Sequence, residues 1–149
     1  ERVVSGQGIV SIYQFLRDRK FATESEELGQ IVRNWEQGAG HRSELPDPAA
    51  AISQAATHDR LAGRTMEMFV DAYGAAAGNL ALKLLPYGGL YVAGGVTAKN
   101  IDSIRNGTFL SSFSHKGRMS PLLDNIPVHL VMNQSVGLIG AALRAGQIA

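Results

Sequence analysis

Cysteine is absent from the 149 residues, which excludes disulfide scaffolds, thiolate nucleophiles and cysteine-based zinc sites together. An excess of either charge is absent too. Fourteen Lys and Arg against 13 Asp and Glu leave +1, too little for binding driven by a polyanion's field, so no nucleic acid partner is expected. No apolar run approaches the length of a membrane span, and no basic–apolar–small leader opens the chain, so no membrane partner is expected either. The resulting expectation is a cytoplasmic protein of a reducing compartment. Methionine is missing from the first position and first occurs at Met66. Nothing in Glu1-Arg2-Val3-Val4-Ser5 reads as a domain boundary, and a segment of a longer reading frame is expected.

What is present is a foldable composition. Hydrophobic residues at 45% and charged residues at 18% argue against disorder over most of the length. A compact body of this size buries roughly 68–70% of its unfolded surface. Ile9, Ile12, Tyr13 and Leu16 fall at helical spacing after Ser5-Gly6-Gln7-Gly8, predicting a helix capped by Ser5 or the glycines and ending near Arg19 or Lys20. Thr23 to Pro48 is polar and reads as a surface excursion with at most a short helix, on whose face Leu28, Ile31, Val32 and Trp35 fall. Asp47 then caps a helix with Pro48 in its first turn.

Asp59 to Leu85 carries the strongest pattern, an apolar stripe of Leu61, Met66, Phe69, Val70, Tyr73, Ala77, Leu80 and Leu84. Gly74 and Gly78 lie inside it. Each costs about 1 kcal/mol relative to alanine in a helix interior, a cost that makes sense where another backbone packs closely. Leu90-Tyr91-Val92-Ala93 reads as a strand covered on both faces, followed by the Gly94-Gly95 turn and a helix over Ala98–Ile104. Val128 to Met132 gives a second strand, and Val136 to Leu143 a helix of small residues. Strand, glycine turn and helix in succession after long helices make the fold class α/β.

Two glycine clusters are candidate ligand contacts, Ser5-Gly6-Gln7-Gly8 and Gly94-Gly95, because a glycine turn ahead of a helix lets backbone N–H groups approach a ligand. On spacing alone, tight-turn geometry is the favoured reading of both, and neither matches a dinucleotide or phosphate-loop fingerprint. His41, His58, His115 and His129 are scattered and predict no metal site; His129 reads as a satisfied or half-buried ring in its strand. No Gly-x-Ser-x-Gly elbow occurs. Lys116 and Arg118 form a basic turn, either solvated or meeting a phosphate.

Several motifs in order carry a family likeness. Glu1-Arg2-Val3-Val4-Ser5-Gly6-Gln7-Gly8-Ile9 resembles a stretch of the bacterial ATP-dependent glucokinases, although Gln7 stands where many members have proline. Gly78-Asn79-Leu80-Ala81-Leu82 with Gly88-Gly89-Leu90-Tyr91-Val92-Ala93-Gly94-Gly95-Val96 is similar to that family's second signature and includes the adenosine motif. Lys116-Gly117-Arg118, Asn125-Ile126-Pro127-Val128 and Gly137-Leu138-Ile139-Gly140-Ala141 are similar to its tail. The resemblance implies that residues 1–149 are the C-terminal segment of the large domain of a ribonuclease H-like, actin-like sugar-kinase fold. The first phosphate loop and catalytic aspartate would lie upstream, leaving no catalytic residue here. It implies Glu1 as a glucose ligand, Gly6, Gly94 and Gly95 at the nucleotide, ATP with Mg2+, and a homodimer. Phosphorylation of glucose at its 6-hydroxyl is the implied reaction of the intact protein, with this segment alone inactive. A kinase for another hexose and a non-catalytic sugar-responsive regulator are the alternatives.

Overall fold

The computed structural model describes residues 2–38 and 44–148. Helix α1 (Gly6–Asp18) opens on Ser5, whose Oγ accepts from the Gly8 N–H at 3.0 Å. It buries Ile9, Val10, Ile12, Tyr13 and Leu16, the face that its spacing predicts. The polar stretch after it departs from expectation, because α2 (Glu26–Gln37) is a helix of 12 residues. Glu26 and Glu27 sit in its first turn, where the helix dipole favours acids. Leu28 and Val32 are buried, and Glu36 receives both Gln14 Nε2 at 2.8 Å and Arg17 Nη1 at 3.0 Å from α1. Two buried side chains and a shared carboxylate are enough to hold a mostly polar segment in register.

Helix α3 (Pro48–Ala55) starts at Asp47, which accepts from the Ala49 N–H at 3.0 Å. Helix α4 (Arg60–Leu84) starts likewise at Asp59, which accepts from Ala62 N–H at 2.8 Å, and stops where Leu85 turns left-handed before Pro86. The buried line of α4 runs through Phe69, Val70, Gly74, Ala77, Gly78 and Ala81. Leu80 and Leu84, expected on that line, are exposed. Small residues take their place because another backbone lies there.

That backbone belongs to α7 (Thr108–Ser114). Between α4 and α7 the chain forms strand β1 (Leu90–Val92), α5 (Gly95–Lys99) and α6 (Ile101–Arg105). The single helix expected over Ala98–Ile104 is therefore two, broken at Asn100. The sequence pattern assigns nothing to Thr108–Ser114, yet Phe109 and Phe113 are buried at successive turns of α7. A Cβ on Gly74 would stand 2.2 Å from the Phe109 carbonyl oxygen, and one on Gly78 would stand 2.3 Å from that of Phe113. Tyr73 meets Phe109 edge to face at 5.4 Å. Lys116 reaches back across the same junction, Nζ donating to the Ala75 carbonyl at 3.0 Å. The close backbone predicted from Gly74 and Gly78 is thus a helix of the same chain. The small face of α4 is consumed by it.

After a 3-10 turn at Gly117–Met119 come α8 (Ser120–Leu123), strand β2 (Val128–Leu130) and α9 (Val136–Ile148). The strands pair in parallel, Leu90 with Val128, Tyr91 with His129 and Val92 with Leu130. Their side chains alternate. Val92 is buried, and Leu90, Val128 and Leu130 pack against the core from the same face. Tyr91 and His129 point the other way and stack at 4.7 Å between ring centroids, both exposed. The expectation of a strand covered on both faces is corrected, since no described element lies over Tyr91. His129 is likewise an exposed stacked ring. Every residue of α9 is exposed. Among the described residues, no helix is long and apolar enough to cross a membrane.

The Tyr13 hydroxyl is buried beside Glu24, with no hydrogen bond of ordinary geometry among the described residues. Burial, and then the negative charges of Glu24 and Asp59, push this phenol well above its ordinary range.

Two outcomes follow for stability. Gly74→Ala and Gly78→Ala should each destabilise by about 1–3 kcal/mol, since overpacking against a carbonyl outweighs the helix propensity gained; an unchanged urea midpoint would contradict the contact. For Tyr13, the folded state holds its proton at a pH where the unfolded phenol has lost it. Its contribution is complete below about pH 10 and falls as pH rises beyond that. Tyr13→Phe should flatten the alkaline decline of the unfolding midpoint, and an unaltered slope would rule out this origin.

Candidate functional site

Segments far apart in the sequence enclose a cleft of about 600 Å³. Gly6 and Ile9 come from the first turn of α1, Asp47, Ala49, Ala50, Ser53 and Gln54 from α3, and Gly95, Val96, Lys99 and Asn100 from α5 and its end. The Ser5 cap fixes where α1 begins, so it fixes Gly6. Ile52, fully buried on α3, turns its neighbours Ser53 and Gln54 toward the cleft side.

Gly94 caps α5 with φ 111° and ψ 167°, a region open to glycine and strained for any other residue. That conformation swings the chain sharply from β1 into α5 and sets the Gly95 backbone at the cleft. A Cβ on Gly94 or Gly95 would meet nothing within 4 Å, so the space beside both is open.

The electrostatics of the wall are nearly balanced. The first turns of three helices face it, and N-termini carry partial positive charge. Asp47 spends its carboxylate on the α3 cap, and Lys99 is the single cation among the lining residues. Ile9, Ala49, Ala50 and Val96 supply an apolar wall, while Ser53, Gln54 and Asn100 supply neutral hydrogen-bonding groups. Such a lining suits a flat, uncharged heterocycle with polar edges better than a multiply charged group. Among the described residues, no three of His, Asp and Glu stand close enough to hold a metal ion. Asp47 is the one carboxylate in the cleft lining, so a magnesium ion there would need substrate phosphates and water for its remaining ligands.

The sequence candidates fare unevenly. Gly6 and Gly95 meet across one cleft and Gly94 shapes its edge. Glu1 and His41 lie outside the described residues. Lys116 is engaged with the Ala75 carbonyl and lies away from the cleft lining, and Arg118 is exposed. The α3 wall and Lys99 with Asn100 escaped sequence reasoning. The α3 residues read only as a capped helix, and no local pattern marks which face of a helix a distant turn will approach.

Comparison with known proteins decides the family. A family model for glucokinase matches residues 1–148. The chain belongs to the glucokinase family. A glucokinase of Nostoc sp. is 63% identical over 99% of this chain and 44% of its own length. One from Synechocystis sp. is 52% identical over 99% of this chain and 42% of its own. The crystal structure of a glucokinase from an Antarctic psychrotroph superposes with a TM-score of 0.67 at 29% identity, over 95% of this chain and 38% of that one. This glucokinase-family chain thus spans less than half the length of the curated relatives it matches. The helix-rich α/β reading with two parallel strands agrees with that structural match.

The two cleft glycines should separate on substitution. Gly94→Ala should cost about 1–3 kcal/mol through backbone strain, and Gly95→Ala, with ordinary φ and open space, less than about 0.5 kcal/mol. Equal losses in equilibrium unfolding would contradict the conformation at Gly94.

Proposed function

We propose that this chain is the C-terminal segment of the large domain of a glucokinase with a ribonuclease H-like fold, and that its cleft receives the adenosine of ATP. The observation that carries the reading is the meeting of Gly6 and Gly95 at one cleft in a chain of this family. The near-neutral lining supports the nucleoside as occupant. A triphosphate asks for several cations, and Lys99 is the one on this wall. The phosphates therefore extend out of the cleft toward parts of the enzyme beyond this segment, where Mg2+ held by those parts would neutralise charge on the transferred phosphoryl group.

In the reaction, the sugar's 6-hydroxyl oxygen forms a bond to the γ-phosphorus of ATP as the bond from that phosphorus to the bridging oxygen of ADP breaks. The hydroxyl proton passes to an aspartate upstream of this segment. The chain's own part is positioning: the Gly94–Gly95 turn and α3 hold the nucleoside, and Glu1 accepts hydrogen bonds from glucose hydroxyls. The role of Glu1 rests on its place in the Glu-Arg motif. The reading includes a cytoplasmic homodimer acting on small molecules and not nucleic acid or membranes, with the net charge of +1 in support of the former.

The test is coupled detection of glucose 6-phosphate from glucose and Mg-ATP. The full-length protein should be active and residues 1–149 alone inactive. Each hydrogen bond from a sugar hydroxyl to a carboxylate contributes about 1.5–3 kcal/mol. Glu1→Ala should therefore lower kcat/KM for glucose by about ten- to a hundredfold. Activity on another hexose alone, or silence of well-folded full-length protein, would overturn the assignment.

A further inference from the structure

Helix α5 carries Gly95 but has only five residues, too few to hold its own shape in water. Thr97 is its single buried residue. Three polar residues are buried among the described ones, Thr65, Thr97 and Asn100. Thr65 spends its hydroxyl within α4, donating to the Leu61 carbonyl at 2.8 Å. The other two tie α5 to its surroundings. Thr97 Oγ1 shares a hydrogen bond with the Tyr73 hydroxyl of α4 at 2.8 Å. Asn100 Oδ1 accepts from Ser53 Oγ of α3, and its Nδ2 donates to the Val96 carbonyl at 2.7 Å.

Ser53 and Asn100 both line the cleft, and their hydrogen bond joins α3 to the end of α5 there. The amide also seizes the backbone one residue beyond Gly95. We propose that the Ser53–Asn100 hydrogen bond is a clamp that sets the width of the nucleoside cleft, with Asn100 a positioning residue acting through the Gly95–Val96 backbone. The inference rests on the assignment of the cleft to adenosine. Asn100 can do this because both ends of its amide are engaged, which fixes its rotamer and hence the separation of α3 from α5. Without the Ser53 hydroxyl, α5 keeps the Thr97–Tyr73 bond to α4 but no side-chain hydrogen bond to α3 among the described residues, and can drift from α3. The Asn100 residue also accounts for the break between α5 and α6, since its φ of −116° takes the chain out of helical geometry where its side chain folds back on Val96.

The experiment uses the full-length protein with Ser53→Ala, Asn100→Ala and the double variant, read by KM for ATP, KM for glucose and direct titration with ATP. Ser53→Ala should raise KM and Kd for ATP about three- to tenfold, as expected for one lost hydrogen bond, while KM for glucose moves less than twofold. The double variant should be no worse than Asn100→Ala alone, because the two residues share one bond. Ser53→Ala removes one hydroxyl from a half-buried helical position, so it decides the matter even if Asn100→Ala does not fold. An unchanged Kd for ATP in Ser53→Ala, or equal losses for ATP and glucose, would overturn the clamp while leaving the kinase reading intact. Should the full-length protein not phosphorylate glucose, the kinase reading fails, and titration with ATP still decides. Weaker binding by Ser53→Ala supports the clamp, and unchanged binding or none by the unsubstituted protein overturns it.

Discussion

The approach of α7 to α4 governs the packing of the chain. Two carbonyl oxygens of α7 lie where the β-carbons of Gly74 and Gly78 would stand, so the helices touch backbone to backbone. Phe109 and Phe113 are delivered into the core by that contact, and burying each such ring is worth about 1.5–3 kcal/mol. Contact at this distance leaves no slack for a side chain to take up. The register of one helix on the other is thereby fixed to the residue, with Ser112 bonded to Asp71 and Lys116 to Ala75 on either side.

Helix α4 is consequently the reference against which the other elements are placed. α1, α3, α6, α7 and α8 all pack on it. The cleft arises where two of these dependants, α1 and α3, bring their capped first turns against α5, itself tied to α4 through Tyr73. Its glycines offer backbone and space, and its chemistry is supplied by neutral side chains.

Much of this was legible in the sequence where local rules act. Ser5 and Asp47 mark helix starts because a side-chain oxygen beside free N–H groups needs no tertiary help. The Gly74 and Gly78 pair announced a close neighbour, since two glycines inside a helix are otherwise costly. The identity of that neighbour was not legible: α7 is short and rich in serine, and its two phenylalanines gain their meaning only against α4. Helix α2 is a related case: Leu28 and Val32 stand out at helical spacing, but nothing local marks Glu36 as the acceptor that ties the helix to Gln14 and Arg17 of α1. The cleft itself was legible only at Gly6, Gly94 and Gly95, where backbone demands left a trace. Ser53, Gln54, Lys99 and Asn100 carry ordinary helix residues' signatures, and what makes them a site is that residues 47 positions apart come to bond.

Helix α9 has a different bearing on the chain. All thirteen residues from Val136 to Ile148 are open to water, among them Leu138, Ile139, Leu143 and Ile148. A helix of that length has marginal stability on its own, and with no described element over it, its amide hydrogens have only intrahelical bonds to slow their exchange with solvent. Its protection is therefore a gauge of company. Whatever comes to lie on its apolar surface lowers the exchange rate there first, before any change registers in the core built on α4.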